Sequence, residues 1–169
     1  LDNAQMTSQI AQINTVTGIQ QLNQTMESMS AQFNSLQVMQ GTALIGRNVM
    51  TEGSTLAVAD KAGKGGFELA SAATKVKVEV MTAGGQVIET MDLGAKAAGR
   101  HTFEWDASKY TGSTEGLQFR VSAVNGSTKI DSTSLALSKV TAAGAEDGQL
   151  VLTLANGKTI NYSQIKALV

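Results

Sequence analysis

The sequence predicts a mainly β protein preceded by one long α-helix, and three observations carry that reading. Residues 1–41 place apolar side chains at steps of three and four and hold only two charges, Asp2 and Glu27. From Thr42 the period drops to two, in short runs separated by turn-forming residues. The 169 residues include 17 Gly and no Pro, so glycine does the turning, as suits a β-rich remainder.

The helix comes first. Met6, Ile10, Ile13, Val16, Ile19, Leu22, Met26, Met29, Phe33 and Leu36 form a stripe read as one side of a helix. About 37 residues at about 1.5 Å each give a rod of roughly 55 Å that cannot bury its own face. The stripe therefore needs another chain or the domain that follows. Its part Leu22, Met26, Met29, Phe33 and Leu36 keeps a 4-3-4-3 spacing suited to knobs-into-holes packing and is the candidate self-association surface. From Ile13 to Leu22 no step of four occurs and Gly18 intervenes, so a phase slip or local kink is expected there.

Beyond Gly41 the segments read in order. Ala43 to Met50 and Thr55 to Ala59 are predicted strands split by the turn Glu52-Gly53-Ser54, and Ala62-Gly63-Lys64-Gly65-Gly66 reads as a flexible joint. Lys75 to Val80 alternates valine with charge and is the clearest strand. Ala83-Gly84-Gly85 turns the chain into a strand over Gln86 to Leu93. Arg100 to Trp105 and Gly116 to Val124 follow, then the turn Asn125-Gly126 and an extended run from Lys129 to Val140. Gln149 to Leu154 puts three leucines on one face, and Asn156-Gly157 turns it into Lys158 to Asn161. Tyr162 to Val169 fits a helical turn or a short strand. Short strands at such spacing indicate a sandwich or a small barrel.

Composition removes several function classes. Thirteen Lys plus Arg against fourteen Asp plus Glu leave a net charge of −1, without the basic patch that phosphate neutralisation needs, so no nucleic-acid partner is expected. The chain has no Cys, which rules out disulfides and Cys-based metal sites. No run of eighteen apolar residues is present to span a membrane as a helix. The first residue is Leu1 rather than Met, and the reading expects the protein's own beginning, with any targeting signal, to lie upstream.

Few residues invite a chemical role. His101 is the single histidine and lacks the companions that a base or a metal ligand requires, so a structural role is expected. Glu104, Asp106 and Glu115 could pair as carboxylates, yet no segment supplies a mate at the needed separation. A solvated face and a turn-capping Asp106 are expected instead. The glycines of residues 62–66 match neither phosphate-loop nor dinucleotide pattern. Trp105 ends the alternation His101, Phe103, Trp105 and is expected to plug a core rather than stack on sugar.

Several separated blocks resemble one family, the flagellar hook-capping proteins, also called basal-body rod modification proteins. Leu1 to Gln12, reading LDNAQMTSQIAQ, is similar to the family's signature helix start, and Ala43-Leu44-Ile45-Gly46-Arg47-Asn48-Val49 to the strand after it. Gly85-Gln86-Val87-Ile88, Asp92-Leu93-Gly94 and Gly99 to Asp106 resemble blocks of its immunoglobulin-like part. Ala107 stands where the family usually has Gly.

The resemblance implies an immunoglobulin or fibronectin III-like sandwich, residues 66–128, inserted in a small tudor-like β-barrel formed by residues 42–65 and 129–169, behind the helix of residues 1–41. It also implies an N-terminal, largely disordered region associated with export, which the reading takes to be absent from this chain. The sandwich core would hold Val76, Val78, Val80, Phe103, Trp105, Phe119 and Val121, and the barrel core Val49, Leu150, Leu152, Leu154 and Ile160. The implied function is a non-enzymatic scaffold at the tip of the growing flagellar hook, exported through the flagellar type III pathway and lying outside the cell. Its partners would be copies of itself, hook and rod proteins and export components, with no cofactor, no metal and no small-molecule substrate. A nearly uncharged helix suits contact between identical copies, and a chain without Cys or Pro suits passage unfolded through a channel. Two alternatives are an adhesin or carbohydrate-binding module, with Trp105 and Tyr110 exposed to ligand, and a hydrolase fragment, against which the missing nucleophile–base constellation argues.

Overall fold

Hydroxyl-bearing side chains in the N-terminal segment bond to their own helix. The structure, a computed structural model, describes residues 2–146 and 148–169. Helix α1 spans Asp2–Thr42 without interruption at Gly18. Thr7, Thr15, Thr25, Ser28 and Ser35 each donate to the carbonyl four residues back, at 2.7–3.0 Å. Groups that elsewhere compete with helix formation are thus satisfied on the backbone itself.

The helix exit differs from the expected strand over Ala43 to Met50. The N–H groups of Ala43, Leu44 and Ile45 donate to the carbonyls of Gln40, Gly41 and Thr42, three residues back, which tightens the last turn. Gly46, at φ +87°, then redirects the chain, and its N–H meets the Val140 carbonyl at 2.8 Å. Strand β1 is therefore only Asn48–Glu52. A three-residue apolar run such as Ala43-Leu44-Ile45 has no period of its own, and burial of Leu44 settles it as a turn.

The joint expected at residues 62–66 is also corrected. Strands β2 (Ala57–Ala59) and β3 (Ala62–Leu69) form a hairpin whose two-residue turn, Asp60-Lys61, has both φ values positive, 51° and 62°. That turn geometry matches the twist of the flanking strands. The Lys61 carbonyl accepts the Ala107 N–H at 2.8 Å, which holds the turn. Gly63, Gly65 and Gly66 are buried within β3. A β-carbon on Gly63 would lie 3.0 Å from both Leu56 and Trp105, and one on Gly65 2.8 Å from the Phe103 ring. The glycines are there because aromatic side chains press on the strand, not because the chain bends.

The remaining elements are β4 (Ala73–Met81), β5 (Val87–Lys96), β6 (Gly99–Asp106), β7 (Gln118–Asn125), β8 (Thr128–Ile130), β9 (Ser132–Glu146), β10 (Gln149–Leu154), β11 (Thr159–Asn161), a 3₁₀ turn (Tyr162–Gln164) and β12 (Ile165–Leu168). The C-terminal segment is thus both a turn and a strand. Strands β5-β4-β7-β8 make one sheet, in that order. In the other, β11-β10-β9-β1-β12 lie side by side, β3 also pairs with β9, and β2 and β6 flank β3. Fifteen-residue β9 has room for three partners: residues 132–136 pair with β3, 135–139 with β1 and 140–146 with β10.

Two apolar clusters result. The first lies between the sheets and includes Phe67, Val76, Val78, Val80, Phe103, Trp105, Phe119 and Val121; the Phe103 and Phe119 rings meet edge to face at 4.9 Å. The second comprises Leu44, Val49, Val140, Leu150, Leu152, Leu154 and Ile160. Cross-strand ion pairs, among them Lys64–Glu104, Arg100–Glu68 and Arg120–Glu79, sit on the outer faces at register positions and favour the observed pairing over a slipped one.

Candidate interaction surface

The helix meets the body only through its C-terminal end. Gly41 is buried, and a β-carbon there would stand 2.5 Å from Leu150 and 3.2 Å from Ala143, so the absent side chain permits close approach to β9 and β10. Asn34, Gln37 and Val38 are half-buried on the same side. Everything else large and apolar on the helix faces outward.

Leu22, Met26, Met29, Phe33 and Leu36 are 65%, 63%, 64%, 62% and 48% exposed, and Met6, Ile10 and Ile13 lie in the same range. The body that follows covers none of the stripe. Met39, 64% exposed, extends it by one further step of three, a residue the sequence reading passed over although its spacing was visible. The helix carries no basic residue in its last turn and a single described charged side chain, Glu27, which is exposed.

The stripe does not stay on one side. At about 100° per residue, each of the four successive steps of three from Ile10 to Leu22 falls about 60° short of a full turn. Met6, Ile10 and Ile13 therefore share one side, while Leu22, Met26, Met29, Phe33 and Leu36 share another, about 150° away around the axis. Asn34, Gln37, Val38 and Gly41, which dock on the body, are about 110° from the second group, so docking leaves it open.

The residues weighed for chemistry have structural partners. His101 Nε2 lies 2.8 Å from the Ala97 carbonyl, and its ring packs on Phe67 at 5.4 Å. Glu104 is exposed and paired with Lys64 at 3.3 Å. Asp106 accepts the Ser108 N–H at 2.9 Å, a turn cap as expected; its carboxyl is held below the ordinary 3.8 by hydrogen bonds from the Ser108 hydroxyl and then the Ser108 N–H. Glu115 is exposed in a turn. Trp105 is 1% exposed, donates its Nε1–H to Glu89 at 2.7 Å and packs on half-buried Tyr110 at 5.6 Å. The exposed Trp105 of the carbohydrate-binding alternative is thereby overturned.

A groove of about 580 Å³ has Leu56, Ala57, Leu137, Lys139 and Asn156 among its walls. Among the described residues no three His, Cys, Asp or Glu side chains gather as a metal site, and no helix is long and apolar enough to cross a membrane.

Residues 53–127 match the FlgD Ig-like domain family. Basal-body rod modification protein FlgD of Escherichia coli is 38% identical over 141 residues, covering 77% of this chain and 61% of that protein. Its counterpart in Salmonella typhimurium is 31% identical over 180 aligned residues, covering 100% of this chain and 78% of that protein. Among solved structures, FlgD from Xanthomonas campestris, described in connection with hook capping essential for flagellar assembly, superimposes with a TM-score of 0.63 at 22% identity, over 79% of this chain and 99% of that one. FlgD from P. aeruginosa gives 0.59 at 23% identity, over 75% and 98%. At those identities the structural likeness is one of fold.

Proposed function

Because the chain belongs to the basal-body rod modification protein FlgD family, we propose that it is a scaffold at the tip of the growing flagellar hook, promoting addition of hook subunits without an enzymatic step. Its partners on this reading are copies of itself, hook and rod proteins and the export components that deliver it outside the cell through the flagellar type III pathway. The division of labour follows the fold. The helix of residues 1–41 makes the assembly contacts, a tudor-like barrel of residues 42–65 and 129–169 anchors it, and the immunoglobulin-like insert of residues 66–128 lies beyond.

One observation carries the proposal: a helix of 41 residues exposes its large apolar side chains and places almost no charge beside them. Contiguous apolar surface of this extent marks an interaction site, and a solvated helix would carry interspersed charge instead. The outer strands of the body, by contrast, are dressed in ion pairs. The far boundary of the insert is favoured by the end of the family match at residue 127 and by the hydrogen bond of 3.0 Å from the Ala70 N–H to the Asp131 carbonyl; the near boundary is not, since the match begins at residue 53 and Leu56 packs in the first cluster.

Hook formation in a strain lacking the native gene tests the assignment. The protein with Met29 and Phe33 both replaced by Asp is expected to yield few or no hooks at parental expression, while Met29→Leu with Phe33→Leu restores them. Parental hook numbers from the Asp variant would remove the helix from the mechanism.

A further inference from the structure

The two apolar sides of α1 point in nearly opposite directions at different heights, and this constrains how copies can meet. We propose that the helix is bivalent: the side formed by Leu22, Met26, Met29, Phe33 and Leu36 in one copy receives the side formed by Met6, Ile10 and Ile13 of a second, in a staggered, head-to-tail contact. The proposal rests on the self-association part of the reading above and gives it a geometry.

A straight neighbouring helix can lie along only one side of α1. Covering Leu22 to Leu36 leaves Met6, Ile10 and Ile13, 53–63% exposed, still facing water about 150° around the axis. An isologous pair, in which the C-terminal side meets itself about a two-fold axis, has this defect. A pair related by sideways translation alone, without a stagger, fails differently, because the residues it sets opposite Leu22 to Leu36 at the same height include Gln20, Asn23, Gln24, Glu27 and Asn34. Sliding one copy along the other by about 19 residues, roughly 29 Å at about 1.5 Å per residue, brings apolar against apolar. One kind of contact, repeated, then covers both sides of every copy, with Val16 and Ile19, which lie between the two sides, outside it.

A second copy of this chain fits these sides better than a charged partner does. The flanks are Gln, Asn, Ser and Thr, and five of the Ser and Thr hydroxyls are already bonded to the helix backbone. They need no charged partner, and Glu27 lies about 140° from the centre of the C-terminal side, so no like charges are brought face to face there. The area suits a weak contact: five large side chains about half to two-thirds exposed amount to on the order of 500 Å² on the C-terminal side, comparable with the largest patch on a typical monomer. Set against the smaller side of Met6, Ile10 and Ile13, each contact stays below the roughly 800 Å² per partner of a standard interface, so repetition along the assembly holds the copies rather than any single interface. A head-to-tail contact with an axial shift generates a screw that continues, or a ring if the helices incline enough to close it.

Complementary variants test this. Ile10→Asp with Ile13→Asp destroys one side, Met29→Asp with Phe33→Asp the other, and circular dichroism confirms that each retains its helix. Light scattering at matched concentration is expected to show the parent as multimers and each variant alone as a monomer. An equimolar mixture of the two is expected to form a species of twice the monomer mass, because each supplies the side the other lacks, and to stop there. If the Ile10/Ile13 variant alone forms parent-sized multimers, or the mixture stays monomeric while the parent multimerises, the bivalent geometry is overturned and self-association stands. A parent that remains monomeric at the highest attainable concentration overturns both.

Discussion

Gly66 sits where a β-carbon would be 3.0 Å from the His101 carbonyl oxygen on the neighbouring strand and 3.2 Å from Met50. A backbone carbonyl in a paired strand cannot yield as a side-chain tip can, so overpacking strains the sheet itself. Gly66→Ala is expected to destabilise the protein by about 1–3 kcal/mol, read as a fall of several degrees in Tm, whereas Gly84→Ala, whose nearest neighbour is 3.8 Å away in a turn, should leave Tm nearly unchanged. Asp106 gives a pH-dependent counterpart. Its pKa is lowered in the folded state by the Ser108 hydroxyl and N–H, so its contribution is present above the ordinary value of 3.8 and is lost as pH falls through the lower folded value. Asp106→Ala should therefore melt below the parent at neutral pH, with the gap closing progressively as the solution is acidified below about pH 4. The cap at Asp106 could be read from sequence because an Asp two residues before Ser is a local turn device. The constraint at Gly66 could not, since His101 and Met50 are brought there by pairing distant in sequence.

At the scale of elements, β3 shows where sequence reasoning stops. A glycine-rich stretch has the same composition whether it is a loose joint or a strand pressed beneath Trp105 and Phe103, and the deciding residues lie about forty positions downstream. The valine alternation of β4 needs no such information, because period two alone buries Val76, Val78 and Val80 completely. Helix α1 is intermediate. Its existence follows from the apolar spacing, but the accumulated phase of successive three-residue steps, which splits the stripe in two, emerges only when angles are summed. The sulfur content of its exposed surface makes a prediction. Met26 and Met29 are 63% and 64% exposed while Met50 is 2% exposed, so mild peroxide should oxidise the helix first. Converting these flexible apolar side chains to sulfoxides should lower the multimer mass without loss of helical signal, and methionine sulfoxide reductase should restore it. The triple variant Met6→Leu, Met26→Leu and Met29→Leu, which removes the exposed sulfur from both sides of the contact, should keep its mass through the same treatment.

Across the whole molecule, the residues expected in two cores occupy two clusters, and alternation within each strand was enough to sort them. Hidden from the sequence was the single strand β9 that serves both, because a fifteen-residue extended run does not announce three different partners. Each cluster has its own optical reporter: Trp105 inside the first, and Tyr162 on the turn that follows β11 beside the second. Phe103→Ala removes a ring packed on Phe119 and under Gly65, a loss of about 3–5 kcal/mol for a buried phenylalanine. On heating, the Trp105 emission is expected to shift well before the backbone amides of Leu150 to Leu154 lose hydrogen-exchange protection. Simultaneous loss of both signals would mean that β9 fuses the clusters into one cooperative unit.

The strand order also fixes a sequence of events in time. Apart from a bridge between Gln118 and Thr55, strands β4 to β8 pair among themselves or with β3, and the sheet β5-β4-β7-β8 closes from residues 73–130 alone. Strand β1, although made early, pairs with Leu135 to Lys139 on one side and Ile165 to Leu168 on the other, so it stays unmatched until the chain is almost complete. Such long-range closure is slow relative to local hairpins. A chain that emerges from its N-terminus outward would therefore present a finished four-stranded sheet and an exposed α1 while the strands joining them still await their partners, and the last four paired residues, Ile165–Leu168, would lock β1, the strand that follows the helix, into place.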